Sequence, residues 1–125
     1  MKKPVRFDCS AEVVELGSDL AARTAQETHD DAHSFDGVTF GVAAMSRNAP
    51  HAGERHADGD EILYLISGRA NVVMLDEGGD TLEMNAGDGL IVPKGTWHRV
   101  DILEPCRIVY VTPGCNNQTR PLKSR

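Results

Sequence analysis

Four side chains near the middle of this sequence have the types and spacing to hold a cation: Glu54, His56, Glu61 and His98. Residues 54 and 56 are two apart, so in an extended strand both project from one face. Asp58-Gly59 is a strong turn signal. Reversal there is expected to set Glu61 beside the pair across a tight hairpin. His98 comes on a later strand, after Pro93-Lys-Gly-Thr-Trp97. Two imidazoles and one or two carboxylates suit a divalent transition metal, with Fe, Mn, Ni, Zn and Cu all compatible. Two His and one carboxylate on one face leave coordination positions open for a substrate or oxygen.

Neighbouring residues weigh on this set. His51 could stand in as a ligand, but it is an odd number of residues from His56 and, without a bulge, points to the other face. Glu54 could instead pair with a nearby cation, although Arg55 faces the opposite way. His29 and His33 lie in the polar stretch Thr28-His-Asp-Asp-Ala-His-Ser and are expected in solvent. Trp97 and Tyr64 alternate away from the ligands, which suits packing or a subunit contact. Leu63, Leu65 and Val100 share the ligands' parity and are expected to form apolar walls.

The elements that must position these residues read as β almost throughout. Ala11–Leu16 is a short strand ended by Gly17, expected at a sheet edge or in a partner's sheet. From Ser18 to Thr28, a capping serine and Asp-Leu-Ala-Ala-Arg-Thr-Ala-Gln-Glu predict a short helix. Strands follow over residues 38–45, 54–56, 62–66, 70–75, 81–84, 90–92, 97–103 and 107–112. Turn signals punctuate them at Asp58-Gly59, Ser67-Gly68, Glu77-Gly-Gly79 and Ala86-Gly-Asp88. Short strands at this spacing predict an all-β sandwich or barrel. Residues 1–37 form an N-terminal extension of strand and helix, 38–113 the barrel, and 114–125 a C-terminal tail whose end is basic and solvated.

With the strands in place, two motifs carry a family resemblance. Glu54-x-His56-x4-Glu61-x6-Gly68 resembles the first cupin motif, G-x5-H-x-H-x3,4-E-x6-G. Gly87-x5-Pro93-x-Gly95-x2-His98 resembles the second, G-x5-P-x-G-x2-H-x3-N. The resemblance implies a double-stranded β-helix of the jelly-roll, cupin-barrel type, often dimeric. It also implies that His56, Glu61 and His98 ligate a metal inside the barrel. The chain departs from the pattern twice, with Glu54 at the first histidine and Asp101 at the closing asparagine. Glu54 can still ligate, with different charge and bite, or act as a catalytic base beside bound substrate.

Composition bounds the rest. A chain of 125 residues is the size of one domain. Its net charge of −6 argues against general affinity for nucleic acid. No apolar run approaches membrane length, and the N-terminus lacks the apolar core of a secretory signal. Cys9, Cys106 and Cys115 form no C-x-x-C pair and suit free thiols in the cytoplasm. Three functions remain open: a metal-dependent dioxygenase or isomerase/lyase acting on a small organic molecule, a non-catalytic module binding a small ligand, and a barrel with a vestigial site. A homodimer is expected.

Overall fold

The computed structural model describes residues 3–28 and 32–122, and its regular structure is entirely β. Nine strands run in chain order: β1 (Glu12–Gly17), β2 (Ala22–Gln26), β3 (Gly37–Met45), β4 (Gly53–His56), β5 (Glu61–Met74), β6 (Thr81–Asn85), β7 (Gly89–Val92), β8 (His98–Pro113) and β9 (Asn117–Arg120). Hydrogen bonding orders one path as β2-β1-β3-β8-β4-β9. The long strand β5 pairs β8 along one edge, and β7 then β6 along the other. The sheet curls on itself as a double-stranded β-helix, with β5 and β8 as its spine. No helix among the described residues is long and apolar enough to cross a membrane.

Alternation along β5 builds the core. Glu61, Leu63 and Leu65 are buried while Ile62, Tyr64 and Ile66 are exposed. Register shifts between Leu65 and Ala70 break the ladder, and the inward parity changes from odd to even, so Ala70 and Val72 are buried beyond it. Ser67-Gly68 is therefore a bulge within one strand, where the sequence reads as a turn between two. Gly68 sits at φ 83°, and a Cβ there would run into the Pro105 carbonyl and Cys106. Likewise, residues 97–103 and 107–112 merge into β8. Leu63, Leu65, Val72, Met84, Val92, Cys106 and Ile108 form the core, with Val100 and Tyr110 packed against it.

The helix expected from Ser18 to Thr28 is not present. Gly17 to Ala21 turn the chain instead: the Leu20 N–H donates to the Gly17 carbonyl and the Gly17 N–H to the Ala21 carbonyl. Ser18 caps nothing, since its hydroxyl donates to Asp36 and its N–H to the Asp36 carbonyl. Ala22–Gln26 then pairs residue by residue with Glu12–Leu16. The segment is too short to nucleate a helix in isolation, and pairing with β1 overrides weak helical propensity. β1 is accordingly an inner strand between β2 and β3, with β2 at the edge. Within residues 114–125, read as tail, Asn117–Arg120 forms β9 against β4.

Candidate metal centre

Strand ends converge at one point inside the barrel. Glu54 and His56 come from β4, Glu61 opens β5 and His98 opens β8. Glu54 pairs directly with His98 across the β4–β8 ladder. The tight hairpin expected between 56 and 61 is not formed, because β4 and β5 share no ladder. Glu61 reaches the cluster from the opposite wall instead, on a strand paired with β7 and β8. One ligand atom from each of the four side chains lies within 4.8 Å of all the others. His56, Glu61 and His98 are buried, whereas the Glu54 side chain is 28 % exposed.

Both imidazoles are locked in orientation. His56 Nδ1 lies 2.8 Å from Asn117 Oδ1, and Asn117 is itself fixed by donating Nδ2–H to the Pro113 carbonyl at 2.8 Å. His98 Nδ1 lies 3.2 Å from the Thr96 carbonyl. Both acceptors are oxygens, so each Nδ1 carries the proton and each Nε2 turns toward the carboxylates. His98 Nε2 is 3.1 Å from Glu61 Oε1 and 3.3 Å from Glu54 Oε1. His56 Nε2 is 3.1 Å from Glu61 Oε2 and 3.7 Å from Glu54 Oε1. Glu61 is held in turn by the Thr112 hydroxyl, which donates to Oε2 at 2.6 Å.

One atom in this network is orphaned. His56 Nε2 is buried and lacks any hydrogen bond of acceptable geometry. It is held instead by charge, with Glu61 Oε2 at 3.1 Å and Glu54 Oε1 at 3.7 Å around it, an arrangement that leaves a buried nitrogen poorly satisfied. A divalent cation at that point would bind the Nε2 lone pairs and cancel the two negative charges. The residues present therefore fit a divalent metal, and the outer hydrogen bonds from Asn117, Thr96 and Thr112 are of the kind that orient metal ligands.

The electrostatics of the bare protein follow from the same geometry. Burial disfavours the imidazolium forms, but the carboxylates of Glu54 and Glu61 outweigh it and push His56 up to about 10 and His98 up to about 9. Burial likewise opposes ionisation of Glu54 and Glu61, yet their hydrogen bonds with the two histidines hold both below the usual carboxylate range.

The neighbouring residues fall as follows. His51 lies in the loop before β4 and does not join the cluster; its Nε2 is 3.9 Å from Glu54 Oε2. Arg55 turns away and reaches Gln118 on β9. His33 is exposed at its outer edge but contacts Glu15 Oε2 at 2.6 Å. His29 lies outside the described residues. Trp97 packs under the Arg120 guanidinium, 4.0 Å from its ring centre, and Tyr64 is exposed on the outer face. Asn117 and Thr112 escaped the sequence reading. Thr112 shares the parity of His98 along β8 and was open to detection, whereas polar β9 offers no periodic signal.

Three comparisons place this architecture. A family model described as a cupin domain matches residues 43–112. A double-stranded β-helix protein from Klebsiella pneumoniae superposes with a TM-score of 0.57 at 18% identity, covering 78% of this chain and 90% of that one. A cupin-2 domain protein from Shewanella frigidimarina gives 0.53 at 23% identity, with 70% and 74% covered. A variant of oxalate decarboxylase from Bacillus subtilis gives 0.56 at 20% identity, covering 66% of this chain but only 23% of that much longer one. No curated protein matches the sequence. The family model spans more than half of the chain, and the barrel and motifs agree with it: this protein belongs to the cupin family.

Proposed function

We propose that the protein is a metal-dependent cupin enzyme acting on a small organic molecule, with dioxygenase or isomerase/lyase-type chemistry. His56, Glu61 and His98 hold a divalent transition metal, and Glu54 completes the ligand set. The carrying observation is the convergence of two imidazole Nε2 atoms and two carboxylates inside the barrel, one ligand atom from each lying within 4.8 Å of all the others. A bound ion supplies Lewis-acid polarisation of a substrate oxygen and, if redox-active, the activation of dioxygen that a dioxygenase needs.

Glu54 is the member of the set with partial exposure, so a substrate meets it before the others. Its carboxylate is held ionised by the two histidines and is acceptor-only in that state. With an ion bound in place of the imidazolium protons, Glu54 would orient a substrate hydroxyl or, freed from the ion, serve as its general base. Leu63 and Leu65 continue the buried face of β5 that Glu61 opens and belong to the apolar core.

A second reading, a ligand-binding module with a relic site, is favoured by charge balance. Two imidazolium ions and two carboxylates neutralise one another without any metal. Metal analysis of protein purified without added metal separates the two. Stoichiometric transition metal, lost in His98→Ala, supports the metal enzyme. No metal in the wild type, and none taken up when Mn(II), Fe(II) or Zn(II) is added, leaves the second reading.

The row Ile91–Ile62–Val111–Phe40 crosses β7, β5, β8 and β3 without a charge, and Ile91, Ile62 and neighbouring Tyr64 are exposed. An uncharged, exposed cross-strand row of this kind is self-complementary, and its occupant is a second copy in an isologous dimer. All three cysteines are free, as suits the cytoplasm.

A further inference from the structure

We propose that the cleft between the 46–52 loop and the open edge of β8 binds a small organic carboxylate with an apolar body, and that His51 aligns it toward Glu54. Only the last link rests on the metal-centre reading; binding in the cleft needs no metal.

The cleft exists because the sheet has a gap. Pairing of β3 with β8 ends at Met45 and Cys106, and β4 meets β8 only at Glu54 and His98. Along that edge residues 99–105 have no strand partner. The loop from Ser46 to Ala52 spans the gap, pinned where Asn48 Oδ1 accepts the Ile102 N–H at 2.6 Å. Between loop and edge lies an open surface cleft of about 850 Å³.

Its lining selects a ligand. Pro50, Val100 and Ile102 give an apolar floor, and Val100 and Ile102 also pack on the barrel core. Arg47 and Arg99 stand at the rim with one carboxylate, Asp101. Arg99 donates Nε–H to both oxygens of Asp101, at 3.0 and 3.2 Å. The Arg47 guanidinium has no hydrogen bond or ion pair among the described residues. A free guanidinium above an apolar floor favours an anion with an apolar body, since its fork matches a carboxylate.

His51 links the cleft to the cluster. Its Nδ1 accepts the Gly53 N–H at 3.1 Å, so the neutral ring carries its proton on Nε2. That atom is 3.9 Å from Glu54 Oε2, too far for a hydrogen bond. The N–H is available to a carboxylate bound in the cleft, which places the ligand next to the exposed side of Glu54. His51 is thus a positioning residue.

The test is an NMR titration of chelator-treated, 15N-labelled protein with benzoate and, separately, with uncharged benzamide. Benzoate is expected to move the amides of residues 46–52 and 99–102. Arg47→Gln, an exposed loop substitution, is expected to weaken benzoate about tenfold and leave benzamide unchanged; His51→Gln is expected to alter the shift at Glu54 more than at Arg47. Equal binding of benzamide and benzoate overturns the proposal. So do shifts confined elsewhere, no shifts at all, or unchanged benzoate affinity in Arg47→Gln. Because the protein is stripped of metal, failure of the metal centre leaves this result intact, and failure here leaves metal content untouched.

Discussion

At His56 the ring can do its work only if Nδ1 is kept from rotating inward, and a single side chain sees to that. Asn117 accepts from Nδ1 and is anchored through its own amide to the Pro113 carbonyl. His98 is oriented by the main chain at Thr96, which no substitution removes. Asn117→Ala therefore isolates the outer hydrogen bond of one residue of the candidate metal centre. It is expected to weaken metal binding about 10–100-fold, read by competition with a chelator, and to lower the melting temperature of the bare protein as well, since His56 Nδ1 loses its buried acceptor. Undiminished affinity would show that the ring is held some other way. The four inner residues were legible in the sequence because period-two spacing and two motifs mark them. Asn117 was not, since a four-residue polar strand carries no hydrophobic pattern.

Elements decide how those residues meet. The spacing from Glu54 to Glu61 suggested a hairpin, but the two strands lie on opposite walls and approach through their side chains. Local turn signals cannot tell a hairpin from a crossing between walls. Ser67-Gly68 shows the same limit: a positive-φ glycine serves a turn and a bulge equally. The missed strand β2 depends on a partner distant from any propensity, namely β1, and carries the cation that β1 needs. Glu15 is buried on β1, with Arg23 of β2 at 2.7 Å and His33 at 2.6 Å. Burial alone would raise its carboxyl, but the hydrogen bonds and charges of His33 and Arg23 hold it below its ordinary value of 4.5. A depressed carboxyl contributes stability that is present above the ordinary value and lost as pH falls through the folded one. Urea midpoints measured from pH 7 to pH 3 are expected to fall less steeply in Arg23→Ala/His33→Ala than in the wild type. Parallel curves would mean that the pair does not set the Glu15 proton affinity.

On the scale of the whole molecule, fold class was readable because β strands with regular turns leave few architectures for a chain of this size. What covers the outer face of β5 was less so, because exposed apolar residues are common on monomers. The cross-strand row from Ile91 to Phe40 distinguishes this face from scattered exposure. Sedimentation velocity is expected to show a dimer of the 13.6 kDa chain. Ile62→Lys/Ile91→Lys, which sets like charges on a self-complementary face, is expected to sediment as a folded monomer. A wild-type monomer across the micromolar range contradicts the interface.

The account as a whole depends on one ion fitting between His56, Glu61 and His98, with Glu54 at its exposed side. Anomalous diffraction from crystals grown with Mn(II) or Zn(II) tests that directly. The predicted result is a single peak about 2.0–2.2 Å from both Nε2 atoms and from an oxygen of Glu61. Absence of a peak with either ion, with the Nε2 atoms still lying against the carboxylates, would contradict it.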